Sequence, residues 1–183
     1  MILAVTGHRP ERLVIGGQDA YQPDVAEALR LFAKRELMAF VDLAKDTELV
    51  ITGGALGLDA AIAQAAYDIE LPFAVYVPFD GQSAVWGYEA RDRYERLLER
   101  AAHVVVVSDG PYASWKFIKR NKKMVDQADH LLALYDGSGT GGTAQCVAYA
   151  NECLCPITNV WDSWVEFADN SAGKEPWEFN RRD

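Results

Sequence analysis

Cysteine, histidine and positive charge are all scarce in this chain. The three cysteines (Cys146, Cys153, Cys155) are odd in number and fall late in the 183 residues. A disulfide scaffold needs a paired set in an oxidising compartment, so they read as reduced thiols. A structural zinc site wants four ligands and no histidine lies near these three, so neither a metal nor a cofactor is expected. No signal peptide is read at the N-terminus, which points to the cytoplasm. No apolar run approaches the roughly 20 residues that a bilayer-spanning helix needs, so no membrane partner is expected. With 18 basic against 27 acidic residues, the net charge of −9 argues against nucleic acid as a partner. A local basic patch can still survive on an acidic surface. Half of the residues are apolar, which excludes a disordered chain and a coiled coil, and the length suits one domain.

What the chain does have is glycine in informative places. Leu49, Val50 and Ile51 read as the end of a buried strand, and Ala60 to Tyr67 as a closely packed helix. Between them Gly53, Gly54 and Gly57 remove the side chains that keep a ligand off the backbone. Strand, glycine-rich turn and helix N-terminus together present N–H groups to a phosphate. The same logic returns at Asp136–Thr143, between a strand at Leu131–Tyr135 and a helix at Ala144–Glu152. That turn lacks the Gly-Lys-Ser/Thr ending of a P-loop, and there is no dinucleotide fingerprint at the first strand.

Further strands are predicted at Ile2–Val5, Phe73–Val77, Val104–Val107 and Pro156–Val160. The β-branched run at Val104–Val107 predicts a central strand, and Pro156–Val160 a last edge strand. Glu11–Gln22 reads as an irregular surface loop able to fold over the sheet edge. Pro23 opens a long helix whose apolar stripe includes Val25, Leu29, Phe32 and Leu37. Leu31 and Met38 lie off that stripe and suggest a second contact surface, for a neighbouring helix or another subunit, which favours a homodimer over a monomer. Lys116, Lys119, Arg120, Lys122 and Lys123 crowd one helix, in which Asn121 falls on the apolar side and Arg120 is expected to turn inward.

Strands alternating with helices predict an α/β, Rossmann-like three-layer fold with a mostly parallel sheet and helices on both faces. A domain over 1–160 would be followed by a tail over 161–183 that packs back on it or on a partner, holding Trp161, Trp164 and Trp177 and fraying at Asn180–Asp183. Five loops, after Val5, Thr52, Val77, Val107 and Tyr135, converge on the carboxyl edge. The candidate ligand-binding residues are Thr6, Gly7, His8 and Arg9; Gly53, Gly54, Ala55, Gly57 and Asp59; Pro78, Phe79, Gln82 and Trp86; Tyr112, Arg120 and Asn121; and Asp136, Gly141, Gly142 and Thr143. Such loops suit a phosphate, a ribose and a flat base, with Trp86 or Tyr112 as the stacking face.

Thr-Gly-His-Arg-Pro at 6–10, Thr-Gly-Gly-Ala-Leu-Gly-Leu-Asp at 52–59, Pro-Phe-Asp-Gly-Gln with Trp86, and Gly-Thr-Gly-Gly-Thr at 139–143 resemble the YpsA-type (DUF1273-like) branch of the SLOG superfamily. Many members of that branch look phage-borne. The resemblance runs from Ile2 to about Val160, and residues 51–62 also look like the glycine-rich segment of DNA-processing protein A. It implies a Rossmann-like fold that binds nucleotides or nucleotide-derived signals, often as a dimer. The LOG phosphoribohydrolases of the superfamily carry Pro-Gly-Gly-x-Gly-Thr-x-x-Glu. Aligned on Gly142-Thr143, that glutamate is Cys146 here, and no proline precedes the glycines. A thiol does not replace the carboxylate, so the LOG mechanism is not inherited on this residue. Asp59, Asp80, Glu89 and Asp136 remain candidate acids, with Asp59 also a natural helix cap. The leading reading is therefore binding of a nucleotide or nucleotide-derived signal. The alternatives are an N-glycosidic or phosphoribosyl hydrolase and, second, a single-stranded DNA binder using the lysine cluster.

Overall fold

The computed structural model describes residues 1–174. Expectations for Trp177 and for Asn180–Asp183 lie outside the described residues. Six parallel strands form the sheet: β1 (Ile2–Gly7), β4 (Leu49–Thr52), β5 (Phe73–Val77), β6 (His103–Val106), β7 (His130–Leu134) and β8 (Ile157–Asn159). Their order is β6-β5-β4-β1-β7-β8. The helices are α1 (Pro23–Leu43), α2 (Leu58–Asp68), α3 (Tyr88–Arg100), α4 (Ser114–Asp126), α5 (Gly141–Glu152) and α6 (Trp161–Ser171).

Strand alternation divides the core between the two faces of the sheet. Leu3, Val5, Val50, Phe73, Val75 and Leu132 join the cluster under α1, α2 and α6. Ala4, Ile51, Ala74, Tyr76 and Leu131 join the one under α4 and α5, with Met124 and Cys146. Tertiary aromatic packing ties α6 to α1: Trp164, 2% exposed, sits edge-on to Phe32 at 5.2 Å. Truncating a core ring of this size costs about 3–5 kcal/mol.

Two expectations about the scaffold need correcting. The valine-rich strand is β6, and it lies at the edge of the sheet, with Val104 44% and Val106 49% exposed. β-Branching marks extended backbone and says nothing of rank in the sheet. Here β5 pairs outward to β6 and the chain then returns past the centre to β7, so among the described residues no strand covers the far side of β6. The stretch from Glu11 to Gln22 is also more ordered than a loop. It holds a 3-10 turn at Pro10–Arg12 and an antiparallel pair, β2 (Val14–Ile15) with β3 (Gln18–Asp19). Leu13, fully buried, pins it to the core.

Candidate functional site

From β1 the chain leaves towards β4 on one side, and from β7 towards β8 on the other. Loops diverging in this way open a crevice at the carboxyl ends of the two strands, where open α/β sheets take ligands. A cavity of about 520 Å³ occupies that position, walled by the β1 loop, Ala55 and Asp59, α4 and the start of α5.

Helical phase decides what α4 contributes. Arg120 and Asn121 share its inward side with Met124 and are 5% and 8% exposed. Gly53 makes room for the guanidinium, since a Cβ there would overlap Arg120 Nη1. Nη1 lies 3.7 Å from Asp59 Oδ2, an ion pair without a hydrogen bond, and Nε and Nη1 have no hydrogen-bond acceptor. Burial pushes the Asp59 carboxyl up from its ordinary value, while Arg120 and the N–H groups of Ala55 and Gly53 pull it back. Burial lowers the Arg120 pKa against the pull of Asp59, from a starting value so high that the group stays cationic. Arg120 thus places a buried positive charge, short of hydrogen-bond acceptors, beside the cavity, where it would favour an anion.

The two glycine turns differ in what surrounds them. Gly54 has φ +62° and its missing Cβ faces Val75 and Tyr94, and Gly57, at φ +100°, backs onto the His8 carbonyl. Gln82 Nε2 donates to the Gly53 carbonyl at 3.3 Å, closing the first turn from behind. That turn is therefore packed against protein. In the second, Gly137, Gly139 and Gly141 also have positive φ, but the space beside each is open. α5 starts there with Thr140 as its N-cap and no side-chain cap bond, and Thr140 to Thr143, the start of the helix, line the cavity. Asn121 Nδ2 donates to the Gly142 carbonyl at 3.1 Å and fixes this turn to α4.

Arg12 and His8 bridge the crevice. Arg12 Nη1 donates to Asp136 Oδ2 at 3.1 Å and Ser138 Oγ at 2.7 Å, and Nη2 to Thr140 Oγ1 at 3.5 Å. His8 Nε2 lies 2.9 Å from Asp136 Oδ1 and 3.1 Å from its backbone N–H, so one tautomer donates to the carboxylate and the other accepts the amide. Burial lowers the His8 pKa despite Asp136, leaving the ring neutral at pH 7. For Asp136 burial acts upward, but hydrogen bonds from Ser138 and His8 prevail and hold it at about 2.

The structure brings Thr6, Gly7, His8, Arg9, Ala55, Asp59, Arg120, Asn121, Gly141, Gly142 and Thr143 to the cavity wall. Asp136 stands just behind, on His8 and Arg12. Gly53, Gly54 and Gly57 support the wall from the far side. Pro78, Phe79 and Gln82 are buried props away from it; Tyr112, 69% exposed, meets Phe79 edge-on at 5.9 Å. Trp86 packs on Tyr94 at 5.1 Å and lines, with Glu89, a separate groove of about 710 Å³ between α1, α2 and α3. Asp80 is exposed and away from the cavity, so of the four acids named from the sequence only Asp59 lies on its wall, where Glu11 is a second carboxylate. Asp59 is not the helix cap: Gly57 holds that position and the carboxyl turns to the first glycine turn. Cys146 is buried off the cavity, its thiol pushed up to about 11 by burial against the pull of Thr6 and Arg120.

Sequence reasoning missed Glu11, Arg12, Ser114, Phe117, Ile118, Thr140 and Gln145, all on the cavity wall. Phe117 and Ile118 flank the inward Arg120, and their side of α4 was readable from its periodicity. Arg12 left no local signal. Lys116 is not a surface cation: it is 4% exposed, and Nζ donates to the carbonyls of Asp109, Gly110 and Pro111 at 2.6, 2.9 and 2.5 Å. Among the described residues no cluster of three or more His, Cys, Asp or Glu is placed to hold a metal ion, and no helix is long and apolar enough to cross a membrane.

The family model of YpsA, the YspA SLOG family, matches residues 3–154. A UPF0398 protein of Bacillus thuringiensis (strain Al Hakam) is 32% identical over 174 residues, covering 92% of this chain and 91% of its own. A UPF0398 protein of Bacillus cereus (strain AH187) matches to the same extent. Among solved structures, DNA processing protein A from Helicobacter pylori, described for its single-stranded DNA binding mode, aligns with a TM-score of 0.55 at 16% identity, over 98% of this chain and 78% of that one. TM1055 aligns with a TM-score of 0.52 at 18% identity, over 85% and 71%. These two similarities concern the fold.

Proposed function

The chain belongs to the YspA SLOG family, and from that premise we propose that it binds a nucleotide or nucleotide-derived small molecule in the switch-point cavity. The observation that carries the reading is Arg120, a buried cation lining the same cavity as the start of α5, which has no side-chain cap. A phosphate there would meet the N–H groups of Gly141, Gly142 and Thr143 and the Arg120 guanidinium. Arg9, exposed at the rim, adds charge, and Phe117 with Ile118 supplies a flat apolar wall for the base. The cavity volume lies in the range of small-molecule sites.

A thermal-shift and calorimetry panel of nucleoside mono-, di- and triphosphates, cyclic nucleotides and dinucleotides tests this. A ligand at about 100 times its Kd adds about 2.7 kcal/mol, which raises Tm by roughly 5–10 °C for a chain of this size. Arg120→Lys and Phe117→Ala should each weaken binding. A panel in which nothing stabilises the protein, or in which both variants bind as tightly as wild type, sinks the proposal.

Hydrolysis of the bound nucleotide is the second reading, favoured by Asp59, a cavity carboxyl whose pKa burial raises towards general acid–base use. Base release from nucleoside monophosphates or cyclic ADP-ribose-type compounds, followed by chromatography, should vanish in Asp59→Asn while binding persists. Release that survives the substitution refutes this assignment. The DNA-binding alternative loses Lys116 to the loop carbonyls and receives less support. In our reading the protein works in the cytoplasm as a homodimer through Leu31 and the exposed Met38 of α1. Sedimentation that shows a monomer, or a dimer unchanged by Met38→Glu, counts against that contact.

A further inference from the structure

Arg12 joins two walls of the cavity, the stretch after β1 and the turn before α5. Its side chain is 41% exposed and lines the cavity wall, and all three of its acceptors belong to the turn after β7, more than 120 residues away in sequence. Each end of this bridge has its own support. Arg12 ends a three-residue 3-10 turn anchored by the Pro10 carbonyl, which accepts the N–H groups of Leu13 and Ala20. The far turn contains Gly137 and Gly139 in left-handed conformations with open space beside them. When Arg12 leaves, Asp136 keeps its contact with the buried His8, and Ser138 N–H keeps its bond to Asp136 Oδ1 at 2.9 Å. The turn thus keeps its anchor at Asp136 while residues 138–140 lose their tie to Arg12, and the partly exposed bridge costs little to open. Opening also frees the Thr140 hydroxyl at the N-cap of α5.

We propose that Arg12 is a gate on the cavity, swinging off the 136–140 turn to admit a nucleotide and re-forming over it to slow its escape. This rests on the nucleotide-binding reading above. It assigns to Arg12 control of the rates of entry and exit, as distinct from the phosphate contact of Arg120.

Stopped-flow fluorescence with the methylanthraniloyl derivatives of AMP and ADP, run beside hydrogen exchange of the ligand-free protein, separates the possibilities. Arg12→Ala should raise the dissociation rate at least tenfold without slowing association, Ser138→Ala should raise it less, and Arg12→Lys should restore part of the retention. The amides of residues 137–141 should exchange several-fold faster in ligand-free Arg12→Ala, with the core strands unchanged. A dissociation rate equal to wild type overturns the gate, and slowed association makes Arg12 a plain ligand contact and overturns it too. A wild-type protein that binds neither probe refutes the nucleotide reading, and the exchange measurement then decides the bridge alone: unchanged exchange at 137–141 refutes it.

Discussion

Replacing Gly53 by alanine tests the site through a single methyl group. Gly53 has an ordinary backbone φ, so alanine brings no conformational strain of its own. Its Cβ, however, would overlap Nη1 and Cζ of Arg120 and lie 2.8 Å from Nη2. The whole guanidinium has to move, and the ion pair with Asp59, now 3.7 Å, breaks. Both groups are buried, Arg120 5% and Asp59 6% exposed. Disrupting a buried pair by deleting one partner costs about 3–5 kcal/mol. Here the cation is displaced and keeps part of its attraction, which places the loss near the lower bound, about 3 kcal/mol, or a fall in Tm of roughly 6–12 °C. Gly87→Ala is the control, since nothing lies within 4 Å of a Cβ there and the position only caps α3; it should cost less than about 1 kcal/mol. Urea denaturation of both variants measures the difference, and nucleotide titration of Gly53→Ala should show weakened binding as well. A Gly53→Ala protein as stable as the control, with unchanged affinity, would show that Arg120 is not wedged beneath the first glycine turn.

Three further outcomes follow from the same geometry. Asp136 has its folded pKa held at about 2, below its ordinary value of 3.8, so its contribution to stability is present above that ordinary value and is lost as pH falls towards 2; urea midpoints at pH 5, 3 and 2 should fall more steeply in wild type than in Asp136→Asn. Cys146 is 1% exposed with its thiol pushed up to about 11, whereas Cys153 is exposed, so a thiol reagent at pH 8 should label Cys153 quickly and Cys146 only on unfolding; fast labelling of Cys146 in the folded protein would contradict its burial. Phe117→Ala should reduce nucleotide affinity by roughly tenfold, while Trp86→Ala and Tyr112→Ala leave it within about twofold, because only Phe117 lines the cavity; equal losses in calorimetry for all three would return the base to the outer loops.

Much of the scaffold was readable because it depends on local periodicity. Short apolar and β-branched runs identified the strands, and proline or glycine marked most helix limits. The inward side of α4 was visible from the phase of Phe117, Asn121 and Met124. What escaped belongs to geometry that no window of sequence contains. Valine content could not rank β6 within the sheet, since edge and centre share the same backbone. Both glycine turns read as open cradles, yet whether a missing Cβ faces Arg120 or empty space depends on α4, more than 60 residues away from the first turn. Trp86 looked available for stacking, but it packs edge-to-face with Tyr94 on the following helix and lines the other groove. Arg12 sat in a stretch read as irregular, with its partners at 136–140.

The central position of β1 sets the order in which the chain can be completed during synthesis. Its register pairs Leu3 with His130 and Gly7 with Leu134, so β1 leaves the ribosome more than 120 residues ahead of one of its two neighbours. Until then β1 can pair only with β4, and the side that will receive β7 is an open edge. Loop closure over so long a span is slow, and the exposed edge is a place for misassembly. The cavity inherits this schedule, because its wall at Gly141–Thr143 follows β7 directly. Ligand binding should therefore appear late in the life of a nascent chain, together with the docking of β7, and nucleotide present at that moment would favour correct closure by mass action.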